Sequence, residues 1–218
     1  MTTPITRRTA LKNIASTTAL AATATGAALS SPHVTAAHHH AGTRQFKHSV
    51  CKWCFKDISL EDLADQAKDL GLESIELLDV DELPIINQRG LQCAMVKGVP
   101  GRIADGLNDA KNHDTIVAFM EQQIPRAVDL GATNLICFSG NRRGQSDEDG
   151  IEICAQGLAR IVPIAEKYGA TVTMELLNSK VNHPDYQCDH TEWGVRLCEK
   201  VGSAHFKLLY DIYHMQIM

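Results

Sequence analysis

From residue 46 onward, short apolar runs alternate with longer stretches in which apolar residues return every three or four positions. The first pattern predicts strands and the second predicts helices. Phe46 to Phe55 holds the run His48-Ser49-Val50-Cys51, a first strand. Ser59 then reads as a helix N-cap, with Glu61 and Asp62 in an acidic first turn. Leu60, Leu63, Ala64, Ala67 and Leu70 mark one helical face, which Gly71 closes. Residues 74–78 predict a second strand, 81–88 a short helical segment and 90–96 a third strand. Residues 97–113, rich in Gly, Asn and charge, predict a long loop over the strand ends. A helix follows from Asp114 to Leu130, ended by Gly131, then a fourth strand over 134–138 with the exit loop 139–146. Residues 152–168 predict a helix stopped by Gly169, and a fifth strand starts at Val172 and ends on Glu175. The helix 191–201 precedes Gly202, and a sixth strand ends on Asp211.

Three helix-to-strand junctions share one phrase: Asp69-Leu-Gly71, Asp129-Leu-Gly131 and Lys167-Tyr-Gly169. Such a run of β/α units requires a parallel sheet. The last three strands lie roughly 35–40 residues apart, typical of barrel units with working loops. The rival is a doubly wound open sheet, but neither a GxGxxG nor a P-loop follows the first strand. The expectation is therefore an α/β chain of (β/α) TIM-barrel type over residues 46–218, with about six of the eight units present. An intact six-strand sheet would leave both edges bare, so truncation before the last two units is expected.

Ahead of the barrel, Thr6-Arg7-Arg8-Thr9-Ala10-Leu11-Lys12 precedes a mild apolar run from Ile14 to Leu29 and a small-residue region, Thr35-Ala36-Ala37. Residues 1–37 resemble a twin-arginine export signal, although Ala10 stands where a bulky apolar residue is usual. The alternative is a disordered Ala/Thr leader. Export by the twin-arginine route to the periplasm is the expectation, with residues 38–45, including His38-His39-His40, a solvated linker. The apolar run is too weak and Thr-rich for a membrane span, so no membrane association is expected once the signal is removed.

With 44% apolar and 22% charged residues, the chain has the balance of a soluble globular protein. The net charge is −5, yet the first 37 residues carry three cations and no acid, so the body is more acidic than that total. This argues against a nucleic-acid partner. A small-molecule substrate is expected, and a homo-oligomer is compatible with the composition. Seven cysteines are an odd number for a disulfide framework. Cys51-Lys-Trp-Cys54 has no second CxxC to complete a four-sulfur zinc site, and it falls in a strand, so it reads as structural.

The chemistry gathers at two strand ends. Ligands collect at the carboxyl ends of strands in parallel β/α folds. There Glu175 and Asp211 close successive strands, and His214 follows three positions after Asp211. Each acid alone could be a helix cap or an ion-pair partner, and His214 alone a satisfied core histidine. At equivalent strand ends the two acids suggest a site for a divalent cation, beside which His214 can donate to a substrate oxygen. Arg142 and Arg143, in the loop after the fourth strand, either grip a substrate carboxylate or stand in solvent. Glu76 and Asp79, after the second strand, read as structural acids.

Glu175-Leu-Leu-Asn178 and Tyr210-Asp211-Ile-Tyr-His214-Met-Gln216 resemble the hydroxypyruvate isomerase family. That family belongs to the xylose-isomerase-like barrels, together with sugar epimerases and apurinic endonucleases; the acidic body does not suit the last of these. The resemblance implies Mg²⁺ or Mn²⁺ held by Glu, Asp, His or Gln, and Glu from four successive strands. Glu175 matches the first ligand and also a catalytic acid/base, Asp211 matches the second ligand, and His214 matches a residue that touches the substrate oxygen. The remaining two ligands and the second catalytic glutamate would lie on strands seven and eight. The implied reaction interconverts hydroxypyruvate and tartronate semialdehyde through an enediolate. A keto-hexose epimerase of the same barrel group and an inactive fragment lacking half the metal sphere are the alternatives. With half that sphere, the 218-residue chain alone is expected to bind Mn²⁺ weakly and turn over nothing; micromolar affinity by calorimetry would overturn this.

Overall fold

A computed structural model describes residues 46–218; the leader, the linker and His38-His39-His40 lie outside the described residues. The elements are β1 (Ser49–Cys51), α1 (Leu60–Asp69), β2 (Ser74–Glu76), α2 (Leu83–Asn87), α3 (His113–Asp129) and β3 (Asn134–Cys137), followed by α4 (Asp147–Tyr168), β4 (Thr171–Leu176), α5 (Thr191–Val201), β5 (Phe206–Tyr210) and the one-turn α6 (Ile212–Met215). All strand pairs are parallel and neighbours in sequence are neighbours in space: β1 with β2, and β3 with β4 with β5.

The expected third strand is present only as a seam. Gln92 bridges to Ser74, while Val96 bridges both to Leu78 and to Leu135 in β3. Its backbone joins the halves, Val96 donating to Asn134 (2.9 Å) and accepting from Ile136 (3.0 Å). Between the bridges the chain bends at Ala94 and Met95, which breaks the ladder. On the partner side Leu77 sits at φ 59°, a left-handed conformation costly for a branched side chain, and it ends β2 at Glu76, two residues early. The result is six consecutive parallel positions, the order of a barrel arc.

Alternation along the strands separates two layers. Leu135, Cys137, Val172, Met174, Leu176 and Phe206 are fully buried in the main core cluster, which the helices share. The other set, including Ile136, Thr173, Glu175 and Leu209, faces the barrel side. The helices begin and end where local chemistry demands. Ser59 accepts from the Asp62 backbone N–H (3.1 Å) at the start of α1. Ser146 does the same for Asp149 (3.1 Å), and with three acids in its first turn α4 begins at Asp147, five residues before the expected start. Gly169 and Gly202 end α4 and α5 in the left-handed conformation, at φ 70° and 69°.

The long loop after the third strand position lies against the end of β3. Leu107 donates to Phe138 (3.1 Å) and Asn108 to Ser139 (2.7 Å). Gly106 permits this approach, because a Cβ there would stand 2.4 Å from the Gly140 nitrogen. Among the described residues no helix is long and apolar enough to cross a membrane. All seven cysteines are free thiols, with Cys93, Cys137, Cys154 and Cys188 buried.

Tyr186 bolts the ends of β3 and β4 together. Its ring is fully buried, and its hydroxyl accepts from the Ser139 N–H (3.1 Å) and donates to the Glu175 carbonyl (2.9 Å). Removing that hydroxyl strands a buried donor. Tyr186→Phe is therefore expected to lower stability by about 1–3 kcal/mol in urea denaturation; an unchanged midpoint would show the bolt to be idle.

Candidate metal centre

Two neighbouring strands deliver the acids. Glu175 stands on the barrel side near the end of β4, paired in register with Leu209, and Asp211 follows β5 directly. Asp211 is also the N-cap of α6: its Oδ1 accepts from the N–H groups of Tyr213 (2.7 Å) and His214 (3.4 Å). That turn folds His214 back over the strand ends. One ligand atom each from Glu175, Asp211 and His214 lies within 4.8 Å of the other two. Among the described residues no lysine or arginine pairs with either acid, and the nearest cation-forming group is His214, whose Nε2 is 4.0 Å from Asp211 Oδ2.

Asn178 decides what His214 can offer. The Asn178 side-chain oxygen accepts from the N–H groups of Val181 (3.1 Å) and Asn182 (2.9 Å), which orients its amide. The amide nitrogen, at 2.7 Å, and the backbone N–H, at 3.2 Å, therefore both face His214 Nδ1. A backbone N–H can only donate, so Nδ1 is the acceptor and the hydrogen of the neutral ring sits on Nε2. Burial holds the His214 pKa below its ordinary value, against the pull of Asp211. Toward the two carboxylates His214 is thus a hydrogen-bond donor, and the groups that could hold a cation are the carboxylates themselves.

These residues line a cleft of about 780 Å³ at the carboxyl ends of the strands, and Cys51 and Glu76 belong to the same lining. Its remaining wall is largely apolar, including Ile103, Ile136, Phe138, Leu177 and Leu209. Burial, and then the Asp211 charge, raises the Glu175 carboxyl from 4.5 to about 7. Burial, and then Glu76, raises the Cys51 thiol to about 11, so it stands as a neutral thiol. Two oxygen-donor side chains converging without a countercharge fit a hard divalent cation such as Mg²⁺ or Mn²⁺.

Arg142 is not brought to this cleft. Its guanidinium pairs with Asp147 and with Asp189 (2.9 Å) and donates to the Gln187 carbonyl (3.2 Å). Burial opposes ionisation of Asp189, but Ser179, His190 and Arg142 together hold its carboxyl below the usual range. Arg143 likewise binds Asp105 (2.6 Å) and the Ala104 carbonyl. Both arginines fasten loops, because that loop turns away from the strand ends toward residues 185–189. Glu76, read as structural, does face the cleft, where Ser49 donates to it. Asp79 is structural: it caps a turn and pairs with Lys97 (3.3 Å). Asn182, His183 and Tyr213 also line the cleft. The first two come from a loop without periodicity, where only its run of polar and aromatic residues hinted at a role.

Comparison with known proteins bears on the fold. Residues 64–218, well over half of the chain, match the family model described as xylose isomerase-like TIM barrel. The chain belongs to that family. No curated protein sequence matches it significantly. Among solved structures, this xylose isomerase-like barrel is similar to a family 2 AP endonuclease from Brucella melitensis, at 21% identity and TM-score 0.71 over 79% of this chain and 70% of that one. It is also similar to D-psicose 3-epimerase with D-tagatose from Clostridium cellulolyticum H10, at 15% identity and TM-score 0.63 over 78% and 65%. A third is the 3-keto-D-glucoside 4-epimerase of E. coli, at 19% identity and TM-score 0.56 over 72% and 65%. The xylose isomerase-like barrel described here thus spans 65% to 70% of those chains.

The charge balance has a measurable consequence. Because folding raises the Glu175 pKa, the metal-free protein binds that proton more tightly than the unfolded chain does. Its stability contribution is full below about pH 4.5 and is lost as pH rises to about 7. In EDTA, Glu175→Gln is expected to raise stability by about 2 kcal/mol more at pH 8 than at pH 5. Urea denaturation at the two pH values checks this, and an equal effect at both would contradict it.

Proposed function

We propose that this protein is a divalent-cation-dependent isomerase that interconverts hydroxypyruvate and tartronate semialdehyde, or a similar small hydroxy-carbonyl compound, through an enediolate. The observation that carries the reading is the convergence of the Glu175 and Asp211 carboxylates in a cleft, with no lysine or arginine among the described residues paired to either. Glu175 and Asp211 would hold the cation. Once bound, the cation supplies positive charge that polarises a carbonyl and steadies developing oxyanion character.

The remaining steps belong to the protein's own side chains. Glu175 combines burial with a pKa near neutrality, which suits a group that takes a proton from one carbon and returns it to the next. The hydrogen on His214 Nε2 points toward the same site and can bond the substrate oxygen on which charge grows. Asn178 keeps it there by occupying Nδ1. The apolar wall limits water near the reacting carbons.

A second reading is a keto-sugar epimerase, and one observation favours it: among the described residues lining the cleft there is no lysine or arginine to meet a substrate carboxylate. A neutral polyol needs no such partner. Incubating the protein expressed from its complete reading frame, with Mg²⁺ or Mn²⁺, against hydroxypyruvate and against a ketohexose separates the two. Formation of tartronate semialdehyde is the expected result, and it should vanish in EDTA and fall by at least about 10³-fold in Glu175→Gln. Failure to turn over the three-carbon acid would sink the first reading, and C3 epimerisation of the ketohexose would establish the second.

A further inference from the structure

His183 reaches the cleft from the loop between β4 and α5, where neither the cation ligands nor the tautomer of His214 requires it. Its backbone is fixed on both sides, the N–H donating to the Asn178 carbonyl (3.1 Å) and the carbonyl accepting from the Tyr186 N–H (3.0 Å). Pro184 follows directly, which narrows the freedom of the segment further. The imidazole is therefore carried on a rigid mount, 5.3 Å from the His214 ring and 6.4 Å from the Tyr186 ring between centroids.

The polar neighbours of His183 have their partners. Asn178 holds His214 Nδ1, the Asn182 side-chain oxygen accepts from Tyr213 (3.0 Å) and from Asn178 (2.8 Å), and the Tyr186 hydroxyl is doubly bonded. His183 differs, because it lines the cleft while its ring makes ring contacts and its nitrogens have no hydrogen-bond partner among the described residues. Orientation of small molecules in apolar pockets rests on a few convergent polar groups of this kind.

We propose that His183 is a second substrate-contacting imidazole, which binds an oxygen of the hydroxy-carbonyl compound farther along its carbon chain than the oxygen served by His214. Two rings 5.3 Å apart, each reaching out about 2.6–3.2 Å in a hydrogen bond, can be spanned by one short oxygenated chain. His183 then fixes which end of the molecule lies over Glu175. This rests on the isomerase or epimerase reading of the same cleft.

The test uses the protein from its complete reading frame with Mn²⁺, hydroxypyruvate and D-fructose as probes, and His183→Phe and His183→Gln as variants. Phe keeps the ring packing and loses the hydrogen bond; Gln keeps a hydrogen-bonding group and loses the ring. A contact role predicts that H183F raises KM for the substrate turned over by about tenfold, that H183Q restores most of the loss, and that Mn²⁺ affinity, read by electron paramagnetic resonance, is unchanged. A packing role predicts the reverse order, with H183F near wild type and H183Q impaired, and that result overturns the proposal while leaving the cleft's function intact. If H183F does not fold, H183Q alone decides: KM within about threefold of wild type supports the contact, and a tenfold rise overturns it. Wild-type protein that turns over neither probe overturns both the inference and the reading beneath it.

Discussion

Two like charges held close in a partly dry cleft are the constraint on which the rest of this architecture depends. Parallel strands in register present side chains at the same height, and the twofold alternation of a strand turns Glu175 to the barrel side. Asp211, one residue past β5, serves as a helix cap with one oxygen, while the other lies 4.0 Å from His214 Nε2, in the same cluster as Glu175. Burial and mutual repulsion both resist ionisation there, which is why Glu175 stands near neutrality in its pKa.

Holding that arrangement falls to groups that do not touch the cleft chemistry. The Tyr186 hydroxyl ties the Glu175 carbonyl to the Ser139 N–H, so the ends of β3 and β4 move as one. Ser139 in turn accepts from the Cys188 N–H (2.9 Å), drawing the loop after β4 into the same knot. Asp189, almost fully buried, collects Arg142, Ser179 and His190. A buried carboxylate in this position is stable because hydrogen bonds fill its lone pairs while Arg142 and His190 oppose its charge. The arginines of this region therefore act as fasteners for loops.

The character of the cleft follows from what those fasteners remove. With Arg142 and Arg143 engaged elsewhere, the described lining is acidic at one end and apolar along its walls, with imidazole and amide groups as its polar donors. Among the described residues, such a lining offers no lysine or arginine to a phosphate. The structural neighbours include enzymes named for keto-sugar chemistry and one named as an AP endonuclease, so the fold alone does not choose among substrates.

How much of this was legible beforehand can be read element by element. The apolar runs that bring Glu175 and Asp211 within one residue of the observed strand ends at Leu176 and Tyr210, the helix stops at Gly169 and Gly202 and the parallel order were all visible, because apolar periodicity and caps are local properties of the chain. The DxxH spacing was equally local: the cap that Asp211 makes carries His214 back within one turn. Errors arose where distant segments decide. The third strand breaks because Leu77 and the bend at Ala94 and Met95 are settled by the seam between two half-sheets. The early start of α4 was written in Ser146 and its acids but was masked by the polar look of the loop. Arg142 stays out of the cleft because Asp147 and Asp189, the latter 47 positions away, take its guanidinium. By itself the sequence determined that Glu175 and Asp211 stand close to the ends of β4 and β5 and which chemistry they could support. Only tertiary structure decided which of them meet, because charge pairing and burial depend on neighbours that chain order does not reveal.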